Sequence, residues 1–319
     1  PDPEIRRVPL EQICLAVRAM GIRDVRGFLA RAPTPPEDSA VEGAVTMLQR
    51  MGALDGEELT ALGQQLALIP ADLRCAKLMV YGAIFGCLDE CVCIAAILST
   101  KSPFLAPVEK REEAKAARGR FTRGGTTASD GDLMTDLRAY QEWEAMMAGG
   151  TPPRKVRQWC EENFLSWAAL SDIAATRAQF YEVLREMGLV SSSVPPSSPL
   201  SSSSTQSSTS SPGLLRALTA SAFTPQILRI SFPDKKFATS VSGAVELDPE
   251  ARTIKYFAKD VGRVFVHPSS VLFDAQGFAG PGAQFLSYFT MVRTSKIFVR
   301  ELTREFPLPQ TPFVVACLC

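Results

Sequence analysis

Only one histidine, His267, occurs in the whole sequence. A centre built from several imidazoles is therefore excluded, and any nucleophile–His pair would have to use that position. No Gly-x-Ser-x-Gly elbow accompanies it, so a Ser–His hydrolase lacks its frame. A Gly-x-x-x-x-Gly-Lys-[Ser/Thr] loop is equally missing, and nothing in these residues cradles a triphosphate. No catalytic residue is assigned. Apolar runs stay short of the ~18–20 residues that span a bilayer. The first residues lack the basic-then-apolar pattern of a signal peptide, so no membrane partner is expected. Eight cysteines are too few for a disulfide framework in a chain of 319 residues. Cys87, Cys91 and Cys93 cluster within apolar Ala83–Ile97, with no second ligand pair and the His far away. They read as buried core thiols in a reducing intracellular compartment, with no metal expected. The opening Pro1-Asp2-Pro3-Glu4 has no initiator Met, and the chain is expected to be a piece of a larger protein.

What is present is ordinary globular material: 46% of residues are apolar. At roughly 100–200 residues per domain, this length suits about two or three domains. Net charge is zero but unevenly spread. From Leu214 onward twelve Lys/Arg face eight Asp/Glu, giving +4 and leaving −4 for the rest. That bias is compatible with phosphate binding and does not establish it.

The pattern predicts a multidomain α + β chain. Residues 1–70 hold three small amphipathic helices (10–20, 24–32 and from Ser39) and a turn-rich tail, a winged-helix-like module. Residues 71–190 read as a helical bundle around the apolar stretches 73–85 and 89–98, with a long last helix capped near Ser171. Trp143, Trp159 and Trp167 are expected packing anchors there, and Thr122–Gly131 a mobile loop. Ser191–Pro212 is almost wholly Ser, Thr and Pro, and reads as a disordered linker. In residues 213–319 the periodicity changes to two: 227–232, 239–245, 253–257, 264–267, 283–292 and 296–300 suit strands. Five or six short strands in about 100 residues suit a small oligonucleotide-binding-type β-barrel.

Several stretches carry a resemblance. Pro3-Glu-Ile-Arg-Arg-Val-Pro-Leu10, Leu59-Thr-Ala-Leu-Gly63, Leu68-Ile-Pro-Ala-Asp-Leu-Arg74 and Leu98-Ser-Thr-Lys-Ser-Pro-Phe104 are four of them. Trp159-Cys-Glu-Glu-Asn-Phe-Leu-Ser166, Val264–Phe273 and Phe285–Glu301 are the most specific. Together they resemble the C-terminal region of DEAH-box RNA helicases: winged helix, helicase-associated bundle and oligonucleotide-binding barrel. Ser129-Asp130-Gly131-Asp132-Leu133 departs from the family's Ser-Asp-His-Leu. The resemblance implies an enzyme only for the parent protein, with ATP and Mg held by motor lobes upstream and no cofactor in this fragment. It implies single-stranded RNA as partner, the motor lobes in cis, and movement typically 3′ to 5′. The Lys-Ser-Pro-Phe form resembles the cytosolic and nucleocytoplasmic branch, which implies a cytoplasmic rather than nuclear location.

The candidate RNA-binding residues lie in the barrel. If 294–300 is one strand, Thr294, Lys296, Phe298 and Arg300 share one face, and Ser295, Ile297 and Val299 the other. Cations with an aromatic suit phosphate contact plus base stacking; Phe298 could equally pack under a neighbouring element. Tyr288 and Arg293 flank this strand, and His267, Ser269 and Ser270 form either a structural turn or an RNA-facing loop. The charged stretch 110–123 reads as a solvated helix face or a channel lining. Two functions follow: an accessory region that closes and gates the RNA channel, or a docking module for an activator or ribonucleoprotein that touches RNA little.

Overall fold

The structure is a computed structural model that describes residues 9–122, 130–190, 211–234, 236–240, 243–247, 251–274 and 284–305. The Ser-rich tract through Ser210, the middle of the 122–131 loop and the stretch from Phe306 to the C-terminus lie outside the described residues.

The first module comprises α1 (Leu10–Ala19), α2 (Val25–Leu29), α3 (Asp38–Arg50), the hairpin β1 (Leu54–Asp55) and β2 (Glu58–Leu59), and α4 (Ala61–Leu68). Cys14, Leu15 and Val17 of α1 pack with Val41, Ala44 and Leu48 of α3 in one buried stripe. Thr60 ends the hairpin and caps α4: its Oγ1 accepts from the Gly63 N–H at 2.9 Å. Gly63 is fixed by a close approach, since a Cβ there would lie 2.1 Å from the Ala53 carbonyl oxygen. A winged-helix arrangement results.

The bundle follows as α5 (Leu73–Phe85), α6 (Leu88–Ser99), α7 (Arg111–Gly119), α8 (Asp132–Ala148), α9 (Pro153–Glu162) and α10 (Trp167–Glu186). Asp72 caps α5 by accepting from the Arg74 N–H, and Gly86 ends it at φ +73°. The α5–α6 pair is apolar nearly all round and forms the bundle's centre, with Cys87, Cys91 and Cys93 buried as free thiols. The last helix begins four residues earlier than its expected cap at Ser171. Ser166 accepts from the Ala169 N–H, while Ser171 sits inside the helix and donates to the Trp167 carbonyl at 2.9 Å. Trp143 is buried and meets Trp167 edge-on at 5.8 Å; Trp159 meets Phe121 at 6.0 Å.

A further helix, α11 (Pro212–Phe223), precedes the strands. Grouped by sequence with the barrel, its Leu215, Leu218, Ala222 and Phe223 instead complete the helical core against α5. The strands are β3 (Ile227–Ser231), β4 (Lys236–Ser240), β5 (Gly243–Leu247), β6 (Lys255–Ala258), β7 (Gly262–Val266), β8 (Phe285–Ser287), β9 (Thr290–Arg293), β10 (Ile297–Arg300) and β11 (Thr303–Arg304). β4 and β5 pair as a separate hairpin. The others form one sheet in the order β11-β8-β3-β6-β7-β10-β9, antiparallel except for the β7–β10 pair.

Both ends of that order belong to the same two bent segments. β8 runs on into β9 and β10 into β11, and the two segments pair at both places. One segment reaches β3 and the other β7, so the sheet curls back toward itself as an oligonucleotide-binding fold does. The bend between β10 and β11 falls at Glu301, a non-glycine residue at φ +52°. Leu228, Ile230, Tyr256, Val264, Val266, Leu286, Val299 and Leu302 fill the inside.

Candidate nucleic-acid interface

Alternation along the strands decides what faces outward. Val264 and Val266 point into the core, so Arg263, Phe265 and His267 lie on the other face of β7. By the same rule Tyr256 and Ala258 are inside and Phe257 outside, and Val299 is inside with Phe298 and Arg300 outside. Register then aligns these residues across the sheet. Arg229, Phe257 and Arg263 sit side by side on β3, β6 and β7. Phe265, Phe298 and Val292 do so on β7, β10 and β9.

The result is an aromatic strip edged by cations. The Phe265 and Phe298 rings lie 6.2 Å apart at 52°, and His267 meets Phe298 edge-on at 5.8 Å. Arg263 stands 4.9 Å and Lys296 4.7 Å from the Phe265 ring centre, and Arg229 stands 5.4 Å from that of Phe257. Such a surface offers flat apolar faces for bases and nearby positive charge for phosphates. Phe257, Phe265, Arg229 and Arg263 were not singled out from sequence, although the alternation in Val264-Phe-Val-His carried the signal.

The sequence candidates divide. Phe298, Arg300, Lys296 and His267 gather on or beside the strip. Arg293 is a correction: it is exposed at the end of β9, and its register opposite Ile297 puts it on the other face from Val292 and Phe298. β10 begins only at Ile297, so Thr294 and Lys296 belong to the turn before it rather than to a strand face. The Lys296 carbonyl accepts from the Thr294 N–H at 2.9 Å and from its Oγ1 at 3.2 Å. Arg300 lies 3.8 Å from Glu301, which takes up part of its charge. Tyr288 is a correction: it is 7% exposed in the barrel core, because the bend between β8 and β9 turns it inward. Its neighbour Phe289 packs on Phe223 at 5.3 Å, away from the strip.

Ser270 is also withdrawn from solvent. Its Oγ donates to Asp132 at 2.8 Å and accepts from the Leu272 N–H at 3.1 Å. Ser269 stays exposed and bonds to His267, whose Nδ1 accepts from the Ser269 N–H at 3.1 Å. That bond uses the lone pair of Nδ1, the arrangement of a neutral ring with its proton on Nε2. Partial burial, aided by Arg300, lowers the His267 pKa and favours that neutral form.

The charged stretch 110–123 is not simply solvated. Arg118 is largely buried and pairs with Asp136 at 2.8 Å and Asp132 at 3.3 Å, while donating to the Ser269 carbonyl at 2.6 Å. Burial, reinforced by Asp132, pushes the Asp136 pKa up to about 6 despite Arg118.

With this geometry established, comparison with known families is direct. Residues 44–71 match "Helicase associated domain (HA2), winged-helix", and residues 72–135 match "Helicase associated domain (HA2), ratchet-like". Residues 215–309 match "Oligonucleotide/oligosaccharide-binding (OB)-fold". The chain is thus a helicase-associated region followed by an OB-fold.

Its relatives narrow the class. A Mycosarcoma maydis protein described as a DEAH-box ATP-dependent helicase is 38% identical over 96% of this chain and 20% of its own length. The Arabidopsis thaliana DExH-box ATP-dependent RNA helicase DExH1 is 31% identical over 94% of this chain and 27% of its own. The human ATP-dependent RNA helicase DHX29 is 30% identical over 96% of this chain and 21% of its own. The chain belongs to the DEAH-box RNA helicase family as its C-terminal helicase-associated and OB-fold region. It spans about a fifth to a quarter of these relatives' length.

Proposed function

We propose that this chain is the accessory region of an ATP-dependent DEAH-box RNA helicase, and that the outer strip of its OB-fold holds single-stranded RNA. The motor lobes, with their ATP and Mg, belong to the rest of the parent protein. In this reading winged helix, bundle and barrel close the channel over the strand and gate it while the lobes turn over ATP. The buried free thiols fit a reducing intracellular setting, which we take to be the cytoplasm.

One observation carries the reading: Phe257, Phe265 and Phe298 lie on the outer face of adjoining strands with Arg229, Arg263 and Lys296 against them. The test is single-stranded RNA binding by the full-length protein across a salt series. Replacing Arg263 and Lys296 together with Ala should weaken binding to all sequences and make the salt slope shallower by ~0.7 per lost contact. Unchanged affinity and slope would remove the strip from the RNA path and favour docking of an activator or ribonucleoprotein instead.

A further inference from the structure

Asp132 is the first residue of α8, where a carboxylate usually serves its own helix. Here it serves the barrel. Its Oδ2 accepts from Ser270 Oγ at 2.8 Å and from the Leu302 N–H at 3.0 Å, and its Oδ1 from the Val271 N–H at 2.9 Å. Its own N–H donates to the Leu302 carbonyl at 2.7 Å. The side chain is 5% exposed, with Arg118 beside it at 3.3 Å.

These contacts fall at two particular places. Leu302 lies at the bend between β10 and β11, where the strand break leaves an N–H without a ladder partner. Ser270 and Val271 belong to the loop that leaves β7 through His267, and Arg118 holds the same loop at the Ser269 carbonyl. The bundle therefore grips both segments that present His267, Phe298 and Arg300.

We propose that Asp132, assisted by Arg118, is a positioning residue through which the ratchet-like domain sets the RNA-facing loop of the OB-fold. This rests on the RNA reading above. Freed from Asp132, the loop samples other conformations, and apparent affinity falls by the fraction that remains competent.

The test is Asp132→Asn in the full-length protein. Asn keeps the volume but places an NH2 against an N–H or O–H donor, so one part of the grip is lost. Amide hydrogen exchange at Val271 and Leu302 should rise. The Kd for single-stranded RNA should weaken about tenfold if about a tenth of molecules stay competent. The salt slope should not change, because no phosphate contact is removed. Ser270→Ala, which removes one donor to Asp132 together with the acceptor of the Leu272 N–H but leaves the Val271 and Leu302 bonds, should act in the same direction by about threefold and serves if Asp132→Asn does not fold. Faster exchange with unchanged Kd, while Phe298→Ala still weakens RNA binding, would overturn this inference alone. No RNA binding by the wild type, or none lost in Phe298→Ala, would bring down the RNA reading and this inference with it.

Discussion

Phe298 sits half-buried between Phe265 and His267, with one strand neighbour, Val299, fully inside the barrel. Truncating a fully buried Phe costs ~3–5 kcal/mol, so Phe298→Ala should cost clearly less, about 1–2 kcal/mol in chemical denaturation. Its effect on RNA should be larger in proportion, since a stacked base contributes ~1–3 kcal/mol. A loss of stability at the full core value with unaltered affinity would make the ring structural. Glu305 offers a second residue-scale prediction. It is buried, accepts from Ser287 Oγ at 2.7 Å, and burial pushes its pKa up to about 8 from 4.5. A raised carboxyl pKa means that the folded state holds the proton more tightly. The associated stability is complete below pH 4.5 and is lost as pH rises through 8. Between roughly pH 7 and 9 the loss integrates to about 1 kcal/mol. Glu305→Gln should flatten that decline, read as the melting temperature against pH. A wild type equally stable at both ends of this window would contradict it.

At the scale of elements, the start of α8 shows why part of this site was illegible. An Asp opening a helix is common for reasons of dipole alone, and nothing in Asp130-Gly131-Asp132 says that a barrel will sit on it. The strands were readable because alternation survives in Val264–Val266 and Ile297–Arg300. Tyr288 and Thr294 were misplaced because alternation assumes an unbroken strand. A bend at 288–289 and a turn at 294–296 each break that assumption. Helix α11 was missed because it follows the Ser tract directly and precedes the strands. The close fit at Gly131 is testable. It sits at φ +107°, and a Cβ there would lie 2.3 Å from the Leu302 carbonyl oxygen and 2.8 Å from the Thr303 Cα. Gly150 has φ +69° but open space around it. Gly150→Ala should therefore cost only the left-handed penalty of about 1–2 kcal/mol. Gly131→Ala adds a backbone clash and belongs with the severe changes, beyond about 4 kcal/mol. Equal costs in urea denaturation would show that α8 and the β10–β11 bend are not tightly joined.

Across the whole molecule, two more features tie bundle to barrel beyond the contacts around Gly131, Asp132 and Arg118. Helix α11 lends its apolar residues to the helical core and leads directly into β3. Arg74 of α5 is the other. Its Nη1 donates to the Phe289 carbonyl at 2.6 Å and to Gln226, its guanidinium lies 3.7 Å from the centre of the Phe289 ring, and Asp72 holds it from behind through two bonds. This is a preorganised cation reaching from one domain into the junction of β8 and β9 in the other. Charge-assisted bonds contribute about 1.5–3 kcal/mol each when partly buried, and removing Arg74 also takes the ion-pair partner from Asp72, which keeps only its cap on α5. Arg74→Ala should therefore lower global stability by about 2–3 kcal/mol. It should also loosen the barrel before the bundle. All three tryptophans lie in the bundle, so their fluorescence follows that part, and amide exchange in β3, β6 and β7 follows the other. In the wild type both should give way at the same urea concentration, as one cooperative unit does. In Arg74→Ala the barrel amides should lose protection first. Coincident loss in the variant would mean that the remaining ties, α11 and the contacts around Asp132 and Arg118 among them, suffice to bind the two parts, and that Arg74 contributes stability without coupling them.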